Sequence, residues 1–282
     1  MFIFNKQFLY LFIAIIIACT PNRVYAEPIP VFVSIVPQKF FIERIGGNEV
    51  EVEAMVKPGE SPATFNPNPK KMSKLANAKL YFSIGVPFEK VWLPRIQALQ
   101  PDLKFVSLSQ GLSEANPGSL HEEDPHIWTD PVLSKKMAKK IEVELSKLKP
   151  EKKEFFNNNY QTLARELDAL NQEIRKIFAA TKNRSFMVFH PAWSYFAEAY
   201  GLKQVSIEHE GKEPGPRALQ DVINKGKKLG IKVIFVQKQF SLSVAKKVAK
   251  MIGATVQEMD PLAENYFENM RKTAKAIAGA NH

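Results

Sequence analysis

Short apolar runs of strand length alternate with stretches at helical spacing along most of this chain. Residues 31–35 (Val-Phe-Val-Ser-Ile) read as a buried strand, and residues 37–45 as a helix stopped by Gly46-Gly47. Residues 50–56 alternate apolar with acidic positions, the period of a half-exposed strand. A helix over 69–78, a buried strand over 80–84 ending at Gly85, a helix over 88–99 and a strand over 104–108 continue the series. Strand–helix alternation of this kind predicts a parallel sheet with helices packed on it.

Residues 110–130 break the pattern. Ser, Gly, Pro, Glu and His are frequent there, so the segment reads as a long loop, after which 131–148 resumes helical spacing. Residues 151–181 hold neither glycine nor proline, and Phe155, Tyr160, Leu163, Leu167, Leu170, Ile174 and Phe178 recur mostly at threes and fours. A helix over that whole stretch would be about 46 Å long, which suits a connector along two lobes better than a surface helix of one. Strands over 185–190, 203–207, 231–237 and 255–259 then alternate with helices over 192–200, 217–229, 241–252 and 266–278. The expected architecture is α/β: two lobes with mainly parallel sheets joined by one long rigid helix. Its divisions are a leader 1–26, an N-terminal lobe 27–150, the connecting helix 151–182 and a C-terminal lobe 183–282. Sheets of this type bind ligands at the carboxyl ends of their strands, so a ligand belongs in the cleft between the lobes.

The leader changes the cellular context. Lys6 supplies one cation, residues 8–18 form an unbroken apolar run of 11, and Val24-Tyr25-Ala26 offers a small residue at a cut. That is the layout of a secretory signal. Eleven residues fall well short of the about 20 that a membrane-spanning helix needs. Ile16-Ile17-Ala18-Cys19 also resembles a lipobox, in which the cysteine is lipidated; Pro21 fits ordinary cleavage after Ala26 instead. The expectation is a periplasmic product, with a lipoprotein anchored to the membrane through Cys19 as the alternative. Cys19 is the only cysteine, so the rest of the chain has no internal disulfide and no thiolate metal site.

Composition narrows the class further. At 45% hydrophobic and 11% aromatic residues, the chain can build real cores, which excludes chain-wide disorder. The formal charge of +10 falls to +8 when Lys6 and Arg23 leave with the leader. Lysines such as Lys135, Lys136, Lys139, Lys140 and Lys147 are spread through helical stretches and read as a solvated face rather than a nucleic-acid site.

Candidate chemistry lies where one element gives way to the next. His126 ends the long loop in Asp124-Pro125-His126-Ile127-Trp128, His190 follows the apolar strand Phe186-Met187-Val188-Phe189, and Asp260 follows the last strand and precedes Pro261. Imidazole with carboxylate suits zinc, manganese or iron. Spacing alone also allows a plainer reading, in which the histidines are buried hydrogen-bonded residues and Asp130 and Asp260, each before proline, open helices.

The ordered series of stretches resembles the zinc- and manganese-binding solute-binding proteins of ABC importers, the group that includes periplasmic zinc-uptake proteins and adhesin-like lipoproteins. The stretches are Ser34-Ile35-Val36-Pro37 with Ile45-Gly46-Gly47, Asp124-Pro125-His126-Ile127-Trp128, Phe189-His190-Pro191-Ala192-Trp193, Glu210-Gly211-Lys212-Glu213-Pro214 and Asp260-Pro261-Leu262. The resemblance implies two lobes joined by a long helix, and His126, His190 and Asp260 as ligands. It implies an ABC-importer permease as partner and a monomer that touches the membrane only through any anchor at Cys19. Histidine at position 190 is similar to the zinc branch, so zinc is the expected ion, with manganese or another divalent metal as the alternative.

One position departs from the family pattern. Where a first-lobe histidine is expected, Gly59-Glu60-Ser61-Pro62-Ala63-Thr64-Phe65 places Ala63, which cannot coordinate. Either water, or His121 or Glu123 swinging in, completes a three-ligand site, or the site has drifted to another metal or lost metal binding; His121 is the favoured substitute. Three functions follow. The first is a binding protein without catalysis. The second is a zinc hydrolase with water in the open position, for which the His-Glu-x-x-His pair is missing. The third is a binder of a non-metal solute, with Trp128, Trp193 and Phe65 lining an apolar cleft.

Overall fold

The computed structural model describes residues 27–112, 124–208, 213–240 and 242–281. The expected leader, Cys19 and the favoured fourth ligand His121 lie outside the described residues. Two four-stranded parallel sheets repeat one topology. The first holds β1 (Ile29–Val33), β2 (Val50–Ala54), β3 (Leu80–Ser83) and β4 (Lys104–Ser107) in the order β2-β1-β3-β4. The second holds β5 (Ser185–Val188), β6 (Lys203–Ser206), β7 (Val233–Val236) and β8 (Thr255–Glu258) in the order β6-β5-β7-β8. In the first sheet Val31 faces both Val52 and Leu80; in the second Val188 faces Ser206 and Phe235. The order reverses direction beside β1 and beside β5, which opens a crevice at the carboxyl ends of those strands.

Helix starts follow from sequence chemistry. Helices α1 (Val36–Gly46), α2 (Pro69–Leu75), α3 (Pro87–Leu99) and α4 (Pro131–Leu148) all carry proline in the first turn, where no N–H is needed. Asn68 caps α2 by accepting from the Lys71 N–H, and Asp130 caps α4 by accepting from Val132. The long helix α5 (Lys153–Ala179) has 27 residues, hence about 40 Å of length. It buries Phe156, Leu163, Leu167, Leu170, Ile174 and Phe178. Phe155, counted in the stripe from spacing, is 39% exposed while Phe156 is fully buried. The reason is angular. Phe156 stands two full turns before Leu163, whereas Phe155 is rotated about a quarter turn away; its ring instead covers Gly47, whose φ of 54° needs glycine.

The C-terminal lobe continues through α6 (Ser194–Ala199), α7 (Pro216–Lys228), α8 (Leu242–Ile252) and α9 (Tyr266–Ala280). The last helix returns to the first half of the molecule. It packs on α5, and Tyr266 sits 4.8 Å from the Phe41 ring of α1. One hydrophobic core therefore runs through both halves, and a smaller one lies between the second sheet and α7–α8. Among the described residues no helix is long and apolar enough to cross a membrane.

Candidate metal centre

The segment that carries His126 is fixed by its own backbone. Asp124 accepts from the His126 N–H at 2.9 Å, Ile127 N–H donates to Pro125 O, and the Thr129 hydroxyl donates to His126 O at 2.8 Å. Ile127, Trp128 and Thr129 form a buried turn that leads into α4. Two partners from the second half hold this loop. Trp128 Nε1 donates to Pro261 O at 2.8 Å, and Tyr195 OH donates to Asp124 O at 3.2 Å. His126 is thus anchored to the first lobe by α4 and to the second lobe by α6 and the chain after β8.

His190 leaves β5 at the crevice of the second sheet. Ala192 N–H and Gln237 Nε2 both donate to its carbonyl, at 2.8 and 3.2 Å. Phe240 stacks on its ring at 5.1 Å with an interplanar angle of 23°. These contacts aim the imidazole at the opposite lobe, where its ring centre comes within 5.3 Å of that of His126, edge to face at 72°.

Each ring is held at one nitrogen by a carboxylate. Asp124 Oδ1 lies 2.6 Å from His126 Nδ1. Both oxygens of Glu208, just beyond β6, lie 3.0 and 3.2 Å from His190 Nδ1. An ionised carboxylate only accepts, so each Nδ1 carries a proton, and in the neutral form of each ring Nε2 presents a lone pair. Burial pulls the Asp124 carboxyl upward, but the charge of His126, hydrogen bonds from its ring and backbone, and one from Ser194 hold it below the usual range. The Glu208 side chain is 2% exposed and His190 26%, so the carboxylate is sealed while the imidazole is reachable. Carboxylate–histidine pairs of this kind fix the tautomer and raise ligand basicity.

The spacing of the two rings suits one ion. An imidazole bound to zinc at about 2.0–2.1 Å has its ring centre about 3.2 Å from the metal, so two rings at a tetrahedral angle stand about 5.2 Å apart. The measured separation is 5.3 Å.

Asp260 is placed differently. Its backbone is pinned, with Asn269 Nδ2 donating to its carbonyl at 2.8 Å, and its Oδ1 accepts from Leu262 N–H at 2.9 Å. It lines a cavity of about 150 Å³ with Met259, Asn269, Lys272 and Thr273, to which neither imidazole contributes. Among the described residues no three His, Cys, Asp or Glu side chains gather closely enough to hold an ion. The structure assembles the imidazole pair and leaves Asp260 beyond the end of β8, with β7 between that strand and the β5 end that carries His190, its carboxylate engaged by its own turn.

Ala63 is exposed in a turn closed by Thr64 N–H on Ser61 O, and Pro62 O accepts from Phe88 N–H at the start of α3. Trp128 and Trp193, 2% and 1% exposed, belong to the core, and Phe65 packs on Phe88 at 5.1 Å. The tryptophans therefore line no apolar solute cleft. Asp124 and Glu208, the carboxylates that hold the two imidazoles, are what sequence reasoning missed at this site. Asp124 was visible beside His126, and Glu208 had a signal as an acid closing the apolar run Val205-Ser206-Ile207.

Comparison with known proteins agrees in fold. A family model described as ZnuA, zinc-uptake complex component A periplasmic, matches residues 31–280. The crystal structure of ZnuA is 36% identical with a TM-score of 0.85, covering 90% of this chain and 100% of that one. A ZnuA deletion mutant with zinc bound is 38% identical at the same TM-score, covering 90% and 98%. The zinc-binding lipoprotein AdcA of Streptococcus pneumoniae serotype 4 is 26% identical over 93% of this chain, which spans only 58% of AdcA.

Proposed function

The chain belongs to the periplasmic zinc-uptake component A family, and from that premise we propose that it is an exported solute-binding protein. It captures zinc between its lobes and hands it to the permease of an ABC importer. The observation that carries this reading is the imidazole pair. Two rings from opposite lobes stand 5.3 Å apart, each with Nδ1 held by a carboxylate and Nε2 left for a metal. Neutral imidazole nitrogens favour zinc over harder ions such as magnesium or calcium.

Asp260 completes the set by turning its carboxylate from the Leu262 N–H toward the ion, while the Trp128–Pro261 hydrogen bond keeps its backbone beside the His126 loop. The position that Ala63 leaves without a ligand is taken by His121 or by water. The protein acts as a monomer without catalysis, because both carboxylates beside the imidazoles already serve as orienting acceptors and neither is left as a general base. Export proceeds by cleavage after Ala26.

Zinc titration of the processed chain tests the reading. His126→Ala and His190→Ala should each weaken zinc binding by at least about tenfold, with manganese binding weaker throughout. Unchanged titrations in both variants remove the site. Metal-dependent turnover of simple esters or peptides by the wild-type chain would replace the binder with a hydrolase.

A further inference from the structure

We propose that the outer face of α7 and α8 is a contact surface for anionic phospholipid headgroups. Lys225, Lys227 and Lys228 end α7, and Lys246, Lys247 and Lys250 occupy α8; all six are exposed. The two helices together carry a single acid, Asp221. They pack on each other, and Gly226 makes the approach close, since a Cβ there would meet Ile252 Cδ1 at 3.1 Å. That contact sets the three lysines in the last turn of α7 beside the last turn of α8, which carries Lys250.

A plainer account covers part of this. Lysines in a last turn satisfy the negative end of a helix dipole, which explains Lys225, Lys227, Lys228 and Lys250. It does not explain Lys246 and Lys247 in the middle of α8. Nor does it explain the apolar groups between them. Leu242 is 47% and Met251 46% exposed, two of the six large hydrophobic side chains that are exposed among the described residues. They bracket the three lysines on one face of an 11-residue helix whose other face, Ala245, Val248 and Ala249, is buried. By contrast, Lys71 pairs with Glu53, Lys135 with Asp168 and Lys149 with Glu49.

Cations with apolar side chains interleaved are what a bilayer interface recognises, headgroup phosphates by the lysines and the acyl boundary by Leu242 and Met251. Duplex DNA would use the charges and leave the apolar groups exposed, which is why lipid is the occupant. Helices before parallel strands run against them, so the last turns of α7 and α8 lie at the edge of the sheet opposite His190. The last-turn lysines therefore lie away from His190, whereas Leu242, at the start of α8, follows two residues after Phe240, whose ring stacks on that imidazole. The inference rests on the proposed function only in placing the chain beside a membrane permease.

The test is sedimentation of the processed chain with vesicles of phosphatidylcholine, with and without phosphatidylglycerol. Each lysine contributes roughly fivefold to partitioning onto an anionic surface. By that measure the variant with Lys225→Gln, Lys228→Gln, Lys246→Gln and Lys250→Gln should lose up to about 600-fold, and the matching set of Lys→Glu changes at least as much. A control of equal charge change in the first lobe, Lys57→Glu, Lys70→Glu, Lys79→Glu and Lys90→Glu, should retain most binding. Leu242→Asn with Met251→Gln should remove the binding that persists at about 0.5 M salt, where the Debye length is a few ångströms. No binding to phosphatidylglycerol vesicles, equal losses in patch and control variants, or stronger binding to duplex DNA than to vesicles each overturn the proposal. Zinc titration of the same variants should be unchanged, which separates failure here from failure of the metal site.

Discussion

Glu208→Gln is the most discriminating change the site offers. The side chain is 2% exposed, and its two oxygens lie 3.0 and 3.2 Å from His190 Nδ1. Glutamine keeps the size and one acceptor oxygen, so the ring can stay in place and the Nδ1–H can stay paired. What goes is the negative charge that makes His190 a stronger donor to a cation at Nε2. Loss of such an outer partner typically costs about 10–100-fold in metal affinity, or about 1.4–2.7 kcal/mol. The substitution therefore leaves the fold alone and weakens zinc.

Two measurements are needed together. Competition against a chromophoric chelator gives the zinc affinity, and urea unfolding of the metal-free protein gives stability. The expected result is a zinc affinity lower by at least about tenfold with unfolding free energy changed by less than about 1 kcal/mol. Asp124→Asn should act the same way on the other ring, and the two effects should nearly add, since they act on imidazoles from different lobes. A Glu208→Gln protein that binds zinc within about twofold of wild type would refute the argument that carboxylates on Nδ1 prepare the Nε2 atoms.

Three further outcomes follow from particular contacts. Trp128→Phe removes the hydrogen bond to Pro261 O and leaves that buried carbonyl unpaired, so unfolding free energy should fall by about 1–3 kcal/mol and zinc affinity with it; an unchanged urea midpoint would show the bond to be idle. Ala63→His restores the missing ligand type and should tighten zinc by about tenfold or more; no gain would mean that the exposed 61–65 turn does not face the ion. Asp130 is pushed up to about 6 by burial, against the opposing pull of the Val132 and Leu133 amides, Arg175 and Lys136. Its folded-state value exceeds the unfolded one, so the folded protein holds an extra proton between about pH 4 and 6 and this group's contribution to stability falls as pH rises through that window. Asp130→Asn keeps the cap, so it should raise stability at neutral pH and flatten the profile over that window; an unaltered profile would locate the pH dependence elsewhere.

Much of the fold was legible because its signals are local. Apolar runs of four or five residues, prolines opening helices and a stripe along 27 residues of α5 are properties of neighbouring positions. Phe155 and Phe156 show where that legibility stops, since adjacent identical residues differ only by a rotation that the pattern locates to within one position. Strand order was not legible, because nothing in the apolar runs says that β3 lies beside β1 rather than β2. The site divides in the same way. His126 and His190 were marked by flanking motifs, but their meeting depends on bonds such as Trp128 to Pro261, between residues 133 positions apart. Glu208 stayed hidden because its partner lies across a strand crossover.

The shared core also limits how the ion can enter and leave. Helix α9 closes the second lobe, yet it is packed into the first: Tyr266 lies against Phe40 and Phe41, Phe267 lies against Phe40, and Tyr266 OH donates to Ser134 Oγ of α4. Arg44 pairs with Glu166 and Arg271 with Glu173, which ties α1 and α9 to points about two turns apart on α5. Swinging the lobes apart would expose Phe41, Tyr266, Met270 and Ile277, each worth about 1.5–3 kcal/mol when fully buried. The sum, roughly 6–12 kcal/mol, matches the whole stability of an ordinary domain. Wide hinge opening on that scale is unfolding, not gating. On the proposed function, exchange of the ion is therefore carried by small parts. These are the turn of Asp260, the side chains of the pair, and the loops that hold them, moving over a frame that α5 keeps rigid.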